Sequence, residues 1–324
     1  MIRASSYFAS DNNAGICPAA LAAMLEANAD GHATGYGDDP WTAKAKDAIA
    51  GLFETDCEVH FVFNGTAANA LALAQLCRPH HAASHVDTDE AGAPEFFSGG
   101  AKLMTADTPL AKLTPEAVAS LATRYSGVHH VKARALSLSQ ATELGTVYTA
   151  AEIKALTAAA RNYGLAVHMD GARLANAVAR LDARPAELTW RAGVDVLSFG
   201  GTKNGMLGGE AVVFLDAAAG ARGEYIRKTV TQLPSKMRFI AAQFNALLDG
   251  DLWLQLAGHA NAMATDLHAA TAVIDGVELG DPPAVNSLFP LLPPHVIEPL
   301  RAWCFFWDWD ASRHQVRWMT AWDT

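Results

Sequence analysis

The sequence predicts an α/β fold, a mostly parallel sheet with helices on both faces, followed by a smaller C-terminal α+β domain. Three observations predict it. Short runs rich in Val, Phe and Leu alternate with longer alanine-rich stretches over residues 1–240. Several of the short runs end in a glycine, or in an aspartate followed by one, as strands do where the chain turns toward a helix. Beyond about Phe239 that rhythm stops, and proline-rich connections and aromatic runs replace it.

Residues 59–63 (VHFVF) are apolar and of strand length, and residues 66–76 after Gly65 have the composition of a buried helix. Residues 133–137, 165–169 and 194–199 supply further strands, separated by helical patterns at 150–162 and around 174–180. Strand–helix–strand units of this kind make a parallel sheet whose crossover helices cover its faces. Residues 210–215 (EAVVFL) form another strand after only a Gly-rich turn. A turn that short allows no helical crossover, so this strand pairs antiparallel or lies at an edge. Residues 241–256 read as helix broken at Gly250, continuing past His259 toward Val273. Asp281-Pro282-Pro283 and Pro293-Pro294 then interrupt the chain before two short aromatic-rich runs at 303–309 and 316–319. The expected division is a large domain over 1–240 and a small one over 241–324.

Composition narrows the function classes. Hydrophobic residues make up 51% and charged residues 18% of the 324, which excludes a disordered or collagen-like chain. The net charge of −10 comes from scattered acidic residues, and no basic run offers a nucleic-acid or membrane footprint. A small molecule is therefore the expected partner. No apolar run is long enough to span a bilayer, and residues 1–15 lack the apolar core of a signal peptide. Cys17, Cys57, Cys77 and Cys304 stand far apart, with no CxxC pair and no zinc-type spacing, which fits reduced thiols in the cytoplasm and no bound metal.

Three constellations carry chemistry. Asn64-Gly65-Thr66-Ala67-Ala68-Asn69 takes a strand through glycine straight into a helix, whose free N–H groups and positive dipole end suit a phosphate. Its ordinary structural reading is a Thr N-cap. Leu165 to Arg173 places Asp170 at the carboxyl end of an apolar strand, where open α/β sheets bind ligands. A buried carboxylate there needs a cationic or hydrogen-bonding partner, which a pyridinium nitrogen or Arg173 would each supply. Val194 to Gly205 runs an apolar strand into a Gly-rich turn around Lys203, the only lysine between Lys154 and Lys228. Gly200, Gly201 and Gly205 are expected to leave room for a bulky ligand, and a desolvated lysine forms imines readily. A surface lysine in a flexible loop is the alternative. The order phosphate cup, aspartate, lysine, each at a strand end, favours one shared site.

With these residues in hand, the chain resembles the threonine aldolases, fold-type-I pyridoxal-phosphate enzymes related to the β-eliminating lyases. The resemblance is carried by Ser10-Asp11, Gly35-Tyr36-Gly37-Asp38-Asp39-Pro40, the NGTAAN turn, His85 with Glu90-Ala91-Gly92-Ala93, Asp170-Gly171-Ala172-Arg173, and Ser198-Phe199-Gly200-Gly201-Thr202-Lys203-Asn204. It extends from Ser10 to Val316-Arg317-Trp318. Residues 137–148 (SLSQATELGTVY) resemble the low-specificity bacterial branch and depart from members with an Asn-Thr-His triplet there.

The resemblance implies a role for each residue. Lys203 would hold pyridoxal 5'-phosphate as a Schiff base, Asp170 would keep its pyridine nitrogen protonated, and Arg173 would sit beside the phenolic oxygen. Gly65 and Thr66 would bind the phosphate, and His85 would stack on the ring and serve as the base. Ser10 and Arg317 would grip the substrate carboxylate. An unpaired guanidinium is costly in the apolar, aromatic run around Arg317, which independently favours an anionic partner. The implied reaction is retro-aldol cleavage of a β-hydroxy-α-amino acid to glycine and an aldehyde. The implied assembly is a homo-oligomer, commonly a tetramer, in which Tyr36 reaches a neighbouring site. Rival readings are a β-eliminating lyase acting on small amino acids and a non-catalytic pyridoxal-phosphate protein. A nucleotide-binding enzyme is disfavoured, because no GxGxxG follows an early strand and no GxxxxGK[ST] occurs.

Overall fold

The structure, a computed structural model, describes residues 7–76, 90–124, 127, 129–216, 220 and 222–324. Two helices, α1 (Pro18–Ala29) and α2 (Pro40–Phe53), precede the first strand. Strand β1 (Glu58–Val62) turns into α3 (Gly65–Leu76), and α4 (Ala93–Phe97) and α5 (Pro115–Thr123) lead to β2 (Ala135–Ser139). The alternation continues through α6 (Ala150–Asn162), β3 (Ala166–Gly171), α7 (Leu174–Leu181), the short α8 (Pro185–Leu188), β4 (Val196–Gly200) and β5 (Glu210–Phe214). Helices α9 (Gly223–Thr229), α10 (Arg238–Leu248) and α11 (Leu252–Thr271) follow. A small second sheet closes the chain: β6 (Ser287–Leu288), then α12 (Pro294–Trp303), β7 (Trp307–Asp310) and β8 (Gln315–Met319).

The large sheet runs β1-β5-β4-β3-β2. Strands β2, β3 and β4 pair parallel, while β5 is antiparallel to both β4 and β1, so four of the five strands point the same way. The mostly parallel sheet expected from the sequence is present. The short turn after β4 forces β5 to reverse, yet β5 lies inside the sheet and not at its edge, because β1 adds along its far side. Side-chain alternation splits the sheet into two faces. Leu197 and Phe199 of β4 and Ala211 and Val213 of β5 join the main core with α2, α6, α7 and α10. Val196, Val212 and Phe214 join a second cluster with Ala68 and Leu71 of α3.

Local chemistry sets the helix starts. Asp39 caps α2 by accepting from the Thr42 N–H and hydroxyl, both at 2.8 Å, with Pro40 as the first helical residue. Thr149 and Glu152 form a reciprocal capping box on α6. Phe199 packs edge-on against Phe53 and Trp253, with centroids 5.5 and 5.8 Å apart. Truncating such a fully buried aromatic costs about 3–5 kcal/mol.

Within the aromatic run 303–309, Trp303 ends α12 and Trp307 begins β7. The small sheet has the order β6-β8-β7, and its core gathers Leu288, Ile297, Phe306, Val316 and Trp318. Helix α10 belongs to the main core through Ile240, Phe244 and Leu247. Within α11, Trp253 and Ala257 join the main core and Ala264 joins the small one. We therefore propose to draw the division of the chain within α11 and not at residue 240.

Candidate active site

A cavity of about 460 Å³ opens at the carboxyl ends of the parallel strands. It is lined by Ser10, Gly65, Thr66, Asp170, Arg173, Lys203 and Arg317, which are all the site residues expected from the sequence that the structure describes. His85 lies outside the described residues. Tyr36 does not line this cavity; it borders a separate polar one with Lys46, Glu58 and Arg227.

Asp170 is the fifth residue of β3 and is 5% exposed. One of its oxygens accepts from the backbone N–H of Ala172 at 3.0 Å, the other from the side-chain amide of Asn69 at 2.9 Å. The same amide donates its second hydrogen to Glu90 at 2.8 Å. Beneath this end of the sheet, His168 bridges the hydroxyls of Ser137 and Ser198 at 2.9 and 3.0 Å. Burial pushes His168 down to about 4, so the bridge is neutral at physiological pH.

Arg173, the residue before α7, is held by Asp11 in a fork: Nε to Oδ2 at 2.7 Å and Nη2 to Oδ1 at 2.9 Å. Arg173 thus pairs with a residue 162 positions away and not with Asp170, the structural alternative that the sequence offered. Asn286 donates to the same carboxylate at 3.1 Å. Burial alone would raise the Asp11 carboxyl, but the Arg173 guanidinium outweighs it and holds the group below its usual range. The hydroxyl of Ser10 points to Asp11 and caps the short helical turn Asp11–Asn13 by accepting from the Asn12 N–H at 3.2 Å.

The helix α3 is capped by Asn64, whose side chain accepts from the Ala67 N–H at 2.9 Å. The Thr66 hydroxyl is therefore not the cap. As first-turn residues, Gly65 and Thr66 have N–H groups with no helical carbonyl to bind. A Cβ on Gly65 would meet nothing within 4 Å, which marks open space above the backbone.

Lys203 sits in the helical turn Thr202–Asn204 directly after β4, and is half-buried. The glycines around it do not serve as expected. A Cβ on Gly200 would collide with the backbone of Ala172, and one on Gly201 with Met206 and the Gly209 carbonyl. Gly205 adopts φ 98°, a left-handed conformation, beside Leu256 and Cys17. These glycines let protein segments approach one another and make no room for a ligand. Arg317 reaches the cavity from β8, whose Met319 N–H donates to the carbonyl of Phe8 at 2.9 Å and so ties the N-terminal segment down.

Sequence reasoning assigned no role to Asp11, Asn69, Glu90, Glu143 or Glu210, although several of them lie in the motifs it singled out. Asn69 lies three residues after Thr66, hence on the same helical face, and that spacing was a usable signal. The partners of Asp11 and Glu210 become visible only in three dimensions.

Lysine, aspartate and helix N-terminus gathered at the strand ends of this sheet are the architecture of fold-type-I pyridoxal-phosphate enzymes. The β-eliminating lyase family model matches residues 7–291, and the chain belongs to that family. It is 51% identical to a low-specificity L-threonine aldolase of Pseudomonas aeruginosa, over 99% of this chain and 94% of that protein. A solved structure of Leishmania major threonine aldolase is similar with TM-score 0.92 and 31% identity, covering 98% of this chain and 95% of that one. Aspartate aminotransferase of Thermus thermophilus shares the fold alone, with TM-score 0.70 and 15% identity over 100% of this chain and 88% of that one.

Proposed function

We propose that the chain is a pyridoxal-phosphate-dependent carbon–carbon lyase of the threonine aldolase type. It cleaves β-hydroxy-α-amino acids such as threonine, allo-threonine or phenylserine to glycine and an aldehyde. The observation that carries this reading is the convergence of Lys203, Asp170, Thr66 and Arg317 on one cavity. The donor set fits the cofactor: one amine, a buried carboxylate at a strand end, and an open helix N-terminus. Lys203 would hold the cofactor covalently, Gly65 and Thr66 its phosphate, and Asp170 its ring nitrogen. When bound, the cofactor supplies the electron sink for the pair released from the Cα–Cβ bond.

The chain's own groups then do the positioning. Ser10 and Arg317 would take the substrate carboxylate and so orient the bond to be broken. Arg173, held by the Asp11 fork, would serve the cofactor's phenolic oxygen. His85 is the proposed base for the β-hydroxyl proton. The proposed assembly is a homo-oligomer, dimer or tetramer, with Tyr36 turned to a neighbouring site, and the proposed location is the cytoplasm. Among the described residues no helix is long and apolar enough to cross a membrane.

The test is to incubate the cofactor-loaded protein with threonine and with phenylserine. Aldehyde plus glycine is the expected outcome; ammonia plus a keto acid would transfer the reading to β-elimination. Lys203→Ala should abolish both turnover and the borohydride-fixed adduct at that position, and retained turnover would overturn the assignment.

A further inference from the structure

Glu210 is a buried acid that the reaction above does not use. It is the first residue of β5, 5% exposed, with Gly200 of β4 on one side and Val62 of β1 on the other. Its Oε2 accepts from the Gly201 N–H at 2.6 Å, and the Thr202 hydroxyl accepts from the Gly209 N–H at 3.1 Å. These two bonds tie the turn that carries Lys203 to the start of β5. Gly201 and Gly209 are packed too closely against Met206 and Ile240 for either to bear a side chain, so the turn has few alternative positions.

The neighbours decide what the charge is for. Glu210 lines the same cavity as Lys203. The other charged groups of that cavity are committed elsewhere: Arg173 to Asp11, and Asp170 and Glu90 to the Asn69 amide. Arg317 enters from β8, and Glu143 lies near Arg173. The strands flanking Glu210 offer only Val62 and Gly200 opposite it, and Lys203 is the cation whose field reaches it. Burial pushes the carboxyl up to about 7, against the pull of the Thr202 hydroxyl, the Gly201 N–H and the Lys203 charge. A neutral amide would accept the same N–H bond without the cost of burying a charge. What the carboxylate alone adds is a negative charge on the wall of the cavity that Lys203 also lines, within reach of the lysine's field.

We propose that Glu210 is a positioning residue for Lys203, its ionised carboxylate holding the Gly201–Lys203 turn against β5 and setting a negative charge on the wall of the cavity they share. The proposal rests on the reading of Lys203 as the cofactor lysine. It predicts that activity and cofactor attachment both weaken as Glu210 takes up a proton.

The experiment compares wild type, Glu210→Gln and Glu210→Asp as full-length protein, from acid to alkaline pH. Three quantities are read: threonine cleavage, the rate at which added pyridoxal phosphate becomes borohydride-fixed at Lys203, and the thermal midpoint of the cofactor-free protein. Wild-type cleavage should rise with pH through neutrality. Glu210→Gln should lose that rise, and both cleavage and attachment should slow roughly tenfold or more at alkaline pH. Glu210→Asp should keep a displaced rise and recover part of the rate. The Gln variant should also gain in thermal midpoint relative to wild type as pH increases, because a carboxyl raised by burial destabilises the fold once it ionises. A Gln variant with wild-type rates and pH profile would overturn the proposal. So would a Gln variant that melts below wild type at alkaline pH, since that marks a purely structural bond. If Glu210→Gln does not fold, a rise in wild-type activity that Glu210→Asp leaves unmoved overturns it equally. Absence of a fixed adduct at Lys203 in wild type would instead bring down the cofactor-lysine reading itself.

Discussion

Replacing Asp11 with alanine perturbs the site through Arg173 while leaving every residue proposed to hold the cofactor in the chain. The carboxylate is 1% exposed and the Arg173 side chain 13%, and two bonds of 2.7 and 2.9 Å join them. Removing one member of such a buried pair leaves an uncompensated guanidinium and costs about 3–5 kcal/mol. Against a total stability on the order of 5–15 kcal/mol, that is a large fraction. Replacing both members by apolar residues of similar volume should cost far less, because the desolvation of both charges disappears with their attraction. The pH dependence has a definite sign. Asp11 has its folded value below 3.8, so its contribution is complete above the unfolded value and is lost as pH falls through the folded one. Urea unfolding followed by tryptophan fluorescence, at neutral pH and in the acid range below about 4, measures both effects. A neutral-pH loss under about 1 kcal/mol would refute the reasoning, because it lies within the range of an exposed pair. A double-mutant cycle with Arg173→Met that shows no coupling would do the same.

Arg317→Ala should raise the Michaelis constant for threonine by roughly tenfold or more, the value of a charge-assisted bond, while cofactor retention by dialysis stays at the wild-type level. Loss of cofactor with an unchanged constant would place Arg317 elsewhere. Asp170→Ala should weaken both turnover and cofactor retention, and an unaffected turnover number would count against its role. Gly200→Ala should destabilise the fold by about 1–3 kcal/mol in urea titration, because the new methyl meets the Ala172 backbone. A neutral result would show that the β4 turn has slack.

The strands that frame the site were legible because each is a short apolar run ending where the chain must turn. Residues 165–169 were expected and Ala166–Gly171 is found; residues 194–199 were expected and Val196–Gly200 is found. Helices α1 and α2 were not read. The sequence of α1, PAALAAMLEANA, is so rich in alanine that no polar face contrasts with an apolar one. The interior place of β5 depends on β1 adding beside it, a contact between residues about 150 apart in sequence that local pattern does not encode. The partners of the site follow the same logic: Asn69 meets Asp170 across 101 residues and Asp11 meets Arg173 across 162.

Glycine shows most clearly where a sequence signal divides into two physical causes. Gly65 and Gly200 both lie where a strand gives way to a turn or helix; from sequence Gly65 belonged to the phosphate turn and Gly200 was expected to leave room for a ligand. At Gly65 an added Cβ finds open cavity, so the missing side chain serves whatever binds there. At Gly200 it would strike the Ala172 backbone, so the missing side chain serves the close approach of the chain just after β3 to the end of β4. That approach brings Asp170 level with Ser198 on β4, five residues before Lys203. Gly200 therefore acts on the site through the spacing of its two main groups. An alanine there should separate Asp170 from Lys203 and cost turnover as well as stability, whereas an alanine at Gly65 should weaken anion binding and leave the fold intact.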